Sequence, residues 1–118
     1  MIDAHGADGL RRDYPWYETI EPSFIAESFD LAHATDPDAL LVLNEFGFET
    51  DTEFDAAADR QRNALIVLGS LLDANLPVHA FGVQAHLDAL DFAERFDADG
   101  YGQFLSELAD HGLTILIT

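Results

Sequence analysis

A chain of 118 residues, 48% of them apolar, is long enough for one hydrophobic core and too apolar for a disordered tail. Its 23 acidic residues face five basic ones, all arginine, and the net charge of −18 excludes the cationic face that nucleic acid or an anionic membrane requires. Cysteine is absent, which excludes disulfides, zinc–thiolate sites and cysteine nucleophiles.

The carboxylates are scattered along the chain, as on a solvated acidic surface of the kind found on proteins from salty environments, rather than gathered into a cation site. No apolar run is long enough to span a bilayer, and the first six residues carry neither the basic start nor the apolar stretch of a secretory leader.

Residues 1–20 read as irregular, interrupted by Gly6, Gly9 and Pro15. Pro22 suits the first turn of a helix, and Phe24, Ile25, Ser28, Phe29, Leu31 and Ala32 follow helical spacing until Thr35-Asp36-Pro37 ends it. Leu40-Leu41-Val42-Leu43 is an uninterrupted apolar run, as expected of a strand buried on both faces, and Asn44-Glu45-Phe46 follows it. A long helix comes next, with Thr52 and Asp55 spaced as an N-terminal capping pair. Phe54, Ala57, Ala58, Gln61, Ala64, Leu65, Leu68, Leu71 and Leu72 form its inward stripe. A second strand is expected over residues 80–83, ending in Gln84-Ala85-His86-Leu87. After an Asp-rich loop, a helix runs from Tyr101 to His111, with Gly112 as its left-handed cap. Residues 113–118 form a third strand.

Helix and strand alternate three times without a hairpin signal, so the sheet is expected to be parallel, built from right-handed βαβ units. Apolar strands without polar alternation need cover on both faces, which three strands cannot supply alone. The chain therefore reads as part of a larger α/β architecture, a barrel or a doubly wound sheet. In both, function gathers at the C-terminal ends of strands. Here those ends carry Asn44-Glu45-Phe46, Gln84-Ala85-His86 and Thr118, groups suited to sugar hydroxyls and ring faces.

These residues carry a resemblance. Asp8-Gly9-Leu10-Arg11-Arg12-Asp13-Tyr14-Pro15-Trp16 resembles the stretch after the acid/base strand of glycoside hydrolase family 10, the endo-β-1,4-xylanases. Phe24-Ile25-Ala26-Glu27-Ser28-Phe29 and Ala34-Thr35-Asp36-Pro37-Asp38-Ala39 are similar to its next helix and turn. Leu43-Asn44-Glu45-Phe46-Gly47-Phe48-Glu49 is similar to its strand-five motif, usually Asn-Asp-Tyr-Asn. Phe81-Gly82-Val83-Gln84-Ala85-His86-Leu87 is similar to its strand-six motif, Gly-Phe-Gln-Ser-His-Leu, and residues 113–118 to strand seven.

The resemblance implies a parallel βαβ segment of a (β/α)8 TIM barrel with three strands and three helices, residues 1–118 covering strands five to seven with their preceding helices. It implies retaining hydrolysis of xylan or xylo-oligosaccharides in the intact enzyme, with no cofactor and an extracellular location. It also places both catalytic glutamates outside the chain, one just before it and one directly after Thr118. The chain alone is then expected to be inactive, and to self-associate or to require the missing flanking barrel segments.

His86 would hydrogen-bond the nucleophile carboxylate, against the plainer role of a buried histidine satisfied by backbone. Gln84, on the same face by strand periodicity, would donate to sugar or to a catalytic carboxylate, against a strand-end cap. Asn44 would line the cleft, against a turn-forming role. Glu45 replaces the family's Asp, Phe46 its Tyr and Gly47 its Asn. Glu45 and Glu49 are expected to be solvated charges, and Trp16 to pack on the barrel exterior. His5, His33, His79 and His111 show no metal-ligand spacing. Two other readings stand beside this one: a non-catalytic carbohydrate-binding or assembly module, and a different parallel α/β fold.

Overall fold

The computed structural model describes residues 1–52 and 55–118 (for Asp91, the backbone). Strands β1 (Val42–Phe46), β2 (Ala80–Gln84) and β3 (Thr114–Ile117) form one parallel sheet in the order β1-β2-β3. The three expected helices are present: α2 (Phe24–Thr35) precedes β1, α3 (Ala57–Asp73) joins β1 to β2, and α5 (Ala98–Asp110) leads into β3. Gly112 closes α5 at a φ of 78°, as its position implied.

Pro22, expected in the first turn of α2, lies instead in a 3-10 turn over Glu21–Ser23 just before it, and two short α-helices were not expected. In α1 (Pro15–Ile20), Pro15 occupies the first turn, where a missing N–H costs nothing, and six residues are too few to show a period. The Asp-rich loop contains α4 (Ala89–Arg95), whose start is set by Asp88, whose carboxylate accepts from the Leu90 N–H at 2.9 Å.

Boundaries also move, and α5 begins at Ala98, ahead of Tyr101, because the Asp97 side chain caps it by accepting from the Gly100 N–H. The ladder of β1 runs from Val42 opposite Ala80 to Phe46 opposite Gln84, two residues later than the apolar run suggested. Pairing, not hydropathy, defines a strand, and Leu40 is left exposed. Helix α3 begins at Ala57, where Asp51 accepts the Ala57 N–H at 2.8 Å. Thr52 and Asp55 instead close a turn upon each other, with the Asp55 N–H donating to Thr52 Oγ1 at 2.9 Å. Of the expected stripe on α3, Ala64, Leu68 and Leu71 are buried, Ala58 is exposed, and Phe54 lies outside the described residues. Asn63 and Val67 take the remaining buried places.

Strand periodicity sorts the sheet into two faces. Leu43, Phe81 and Val83 face the helices and are buried against Leu68 and Leu108. The Phe81 ring sits 5.6 Å from that of Phe48 and meets Phe104 edge-on at 6.0 Å. These three rings are the heart of the core, which α2 extends with Phe24, Ile25 and Phe29. On the other face, Asn44, Phe46, Thr114 and Thr118 are exposed. That face is open over β1 and β3, although Ala80 and Gly82 of the central strand are buried on it and Ile117 is exposed on the helix side, as for a sector cut from a closed architecture. No helix among the described residues is long and apolar enough to cross a membrane.

Candidate functional site

The C-terminal ends of the three strands lie along one rim because the strands are parallel and in register. Val83 pairs with Ile117, which brings the next residues, Gln84 and Thr118, side by side, and the Ala85 N–H donates to the Thr118 carbonyl at 3.3 Å. Asn44 lies opposite Gly82. The Thr118 hydroxyl donates to Asn44 Oδ1 at 3.2 Å across the face of β2. That crossing requires glycine at position 82, since a Cβ there would lie 2.6 Å from Asn44 Oδ1 and 3.1 Å from its Cβ. Gly82→Ala should therefore swing Asn44 out of place and cost about 1–3 kcal/mol from overpacking. A displaced Asn44 side-chain amide signal in NMR, with lower denaturant stability, checks this; an unmoved signal would contradict the geometry.

His86 Nε2 lies 3.1 Å from Gln84 Oε1, which accepts when that nitrogen carries the proton. The His86 ring is exposed and stands edge-on to Phe46 at 6.5 Å. All three expected site residues, Asn44, Gln84 and His86, thus fall at one end of the sheet, joined there by the Phe46 ring and the Thr118 hydroxyl. His79 differs in kind: its Nδ1 accepts the Leu41 N–H at 2.9 Å at the opposite end of the strands, a structural bond.

Against the expectation of solvated charges, both glutamates are buried, Glu45 at 3% and Glu49 at 7% exposure. Glu45 alternates with Asn44 and Phe46 along β1, so it points to the helix side. There its carboxylate accepts from the Ile2 N–H at 3.0 Å, the Phe46 N–H at 3.1 Å and the N-terminal amine. A buried carboxylate persists only with such donors. Glu49 accepts from the Phe48 N–H at 3.0 Å, while its other oxygen has no partner among the described residues. Nearby, burial and then the negative charge of Glu49 raise the Tyr101 pKa above 10.0.

Trp16 is exposed and lines a groove with Tyr14, Ile20, Phe24 and Leu31, to which no strand end contributes. His5 rests between Asp3 and Asp55 at 3.5 and 3.2 Å. Among the described residues no group of His, Asp and Glu has the arrangement to hold a metal ion. Sequence reasoning passed over Arg60, whose guanidinium carbon lies 5.7 Å from the Phe46 ring centre. The available signal was its place in the opening turn of a helix that follows a strand, which puts it at the rim carrying the strand ends.

A parallel βα sheet with bonded polar groups and an aromatic ring at its C-terminal rim, open over its outer strands on the face opposite its helices, is a sector of a (β/α)8 barrel. The chain belongs to glycosyl hydrolase family 10, whose sequence model matches residues 1–118. It is 28% identical over 116 residues to endo-1,4-beta-xylanase B of Thermotoga neapolitana, covering 98% of this chain and 31% of that protein. The crystal structure of native xylanase 10B from Thermotoga maritima superposes with a TM-score of 0.78 at 28% identity, over 100% of this chain and 33% of that one. Xylanase 10B of Thermotoga petrophila, solved in complex with xylobiose, gives 0.76 at 26% identity over 98% and 32%. The chain spans about a third of the length of the relatives it matches.

Proposed function

We propose that the chain is the strand-five to strand-seven sector of a retaining endo-β-1,4-xylanase, and that its strand ends form one wall of the xylan cleft. The observation that carries this is the convergence of Asn44, Phe46, Gln84, His86 and Thr118 at one rim of a parallel sheet. Family membership and similarity to endo-xylanases support it. Asn44 and Gln84 would bond sugar hydroxyls, and His86 would hold the nucleophile carboxylate supplied after β3. The groups on this sheet present hydrogen bonds and an aromatic edge; the proton transfer and nucleophilic attack belong to carboxyls on the flanking segments.

The test is an extended enzyme comprising this chain within a complete barrel. His86→Ala should lower kcat/KM about a hundredfold or more, while His79→Ala, at the far end of the strands, should change it little. Equal losses for the two variants would reduce His86 to a structural histidine.

The isolated chain is also proposed to self-associate, because β1 and β3 are open edges and one sheet face is open over both. Its acidic surface, read as a salt adaptation, adds repulsion within each copy. Molar salt, with a screening length of about 3 Å, should suppress that repulsion, favour apolar burial and sharpen unfolding. Sedimentation and urea melts in low and molar salt check this; a compact, salt-indifferent monomer would contradict it. A stand-alone carbohydrate-binding module is the second reading, favoured by the same strand-end groups, beside which the described residues place no carboxyl pair.

A further inference from the structure

Two departures from the family motif, Phe46 for Tyr and Gly47 for Asn, meet at a single residue elsewhere in the chain. Arg60 lies over the Phe46 ring, its guanidinium carbon 5.7 Å from the centre. Its Nη2 donates to Asp55 at 2.5 Å and its Nη1 to the Ile2 carbonyl at 3.3 Å, which fixes the head group from two sides. Its stem runs beside Gly47, where a Cβ would lie 3.1 Å from Arg60 Cδ and 3.3 Å from Nε. Gly47 has a φ of 83°, so a side chain there would be both strained and crowded against Arg60. Arg60 Nε is buried without a partner among the described residues, a cost accepted for that placement.

Phe46 needs such help. It has no hydroxyl to tether it, it is 46% exposed, and on the rim it has the His86 edge at 6.5 Å. A ring so placed would sample several rotamers and present no defined face. A guanidinium held over one face by two bonds of its own selects one orientation and leaves the remaining surface for a ligand.

We propose that Arg60 is a positioning residue of the cleft: it orients the Phe46 ring as an aromatic platform for a sugar, and Gly47 provides the room it occupies. The proposal rests on the strand ends being the sugar site, and it adds how their aromatic surface is set.

A double-mutant cycle on the full 118-residue chain tests it, with xylotriose titrated into the labelled protein and binding read from NMR shifts. Phe46→Ala and Arg60→Met should each weaken binding about three- to fivefold. The double variant should bind no more weakly than Phe46→Ala alone, because Arg60 acts through the ring. Arg60→Lys, which keeps a cation, should recover part of the loss, and Arg62→Met, whose arginine pairs with Asp59, should bind as the parent does. Equal losses from Arg60→Met with and without Phe46, or no loss at all, would overturn the proposal; urea melts identify a loss caused by misfolding. The ring-proton shifts of Phe46 without sugar provide an independent reading. They should move in Arg60→Met, and unmoved shifts would refute the orienting role whether or not xylotriose binds. Absence of xylotriose binding by the parent chain would instead refute the sugar site on which the proposal rests.

Discussion

The 118-residue chain, purified alone, should release no reducing sugar from xylan and no phenol from an aryl xylobioside. Retaining hydrolysis needs an acid and a nucleophile about 5–5.5 Å apart across one glycosidic bond. Among the described residues, the groups at the strand ends are an amide pair, an imidazole, a phenyl ring and a hydroxyl. The nearest carboxylate in sequence, Glu45, points to the opposite face of β1 and is committed to backbone N–H groups and the N-terminal amine. It can neither protonate a leaving group nor attack an anomeric carbon from there. The expected difference from an intact barrel is many orders of magnitude, since rate enhancements of 10⁶-fold and above are typical of enzymes. Turnover that survives repurification and is abolished by a xylanase inhibitor would mean that the chain holds a carboxyl pair this structure does not bring together.

The second large effect is on stability. Phe81→Ala should cost about 3–5 kcal/mol, because it removes a fully buried ring and leaves a cavity between Phe48 and Phe104. Domains of this size are stable by only about 5–15 kcal/mol, and this one has a sheet face open over β1 and β3, so the variant should be largely unfolded at room temperature. Phe92→Ala is the control. Phe92 is partly exposed and stacks on Phe96 at 4.2 Å, so its loss should cost about 1 kcal/mol. Circular dichroism in urea measures both, and a Phe81→Ala cost below that of Phe92→Ala would contradict the placement of the core.

How much of this was legible beforehand depended on the range of the interaction involved. The parallel α/β order, the three long helices, the Gly112 cap and the position of Asn44, Gln84 and His86 followed from periodicity, turn chemistry and motif order, which are local signals. The burial of Glu45 was not, because two of its three donors, the N-terminal amine and the Ile2 N–H, come from 44 and 43 positions away. Residues 1–11 read as irregular for the same reason. They fold back on themselves through the Ile2–Leu10 bridge and are held by Asn63, which donates to the Asp3 and Gly6 carbonyls at 2.6 and 3.1 Å. Asn63 falls outside the inward stripe that helical spacing predicts for this helix, yet it is buried there. Arg60 was passed over because its meaning depends on Phe46 and Gly47, 14 and 13 positions earlier, and on a packing contact that no spacing rule encodes.

The central claim, that the strand ends are the sugar-facing wall of a barrel sector, is tested most directly by mapping xylotriose onto the labelled chain by backbone and side-chain NMR shifts. The account predicts saturable shifts at millimolar ligand that gather at Asn44, Phe46, Gln84, His86 and Thr118, with little change at His79 or in the Trp16 groove. Shifts centred on Trp16 and Leu31, or none up to the solubility of the sugar, would contradict it.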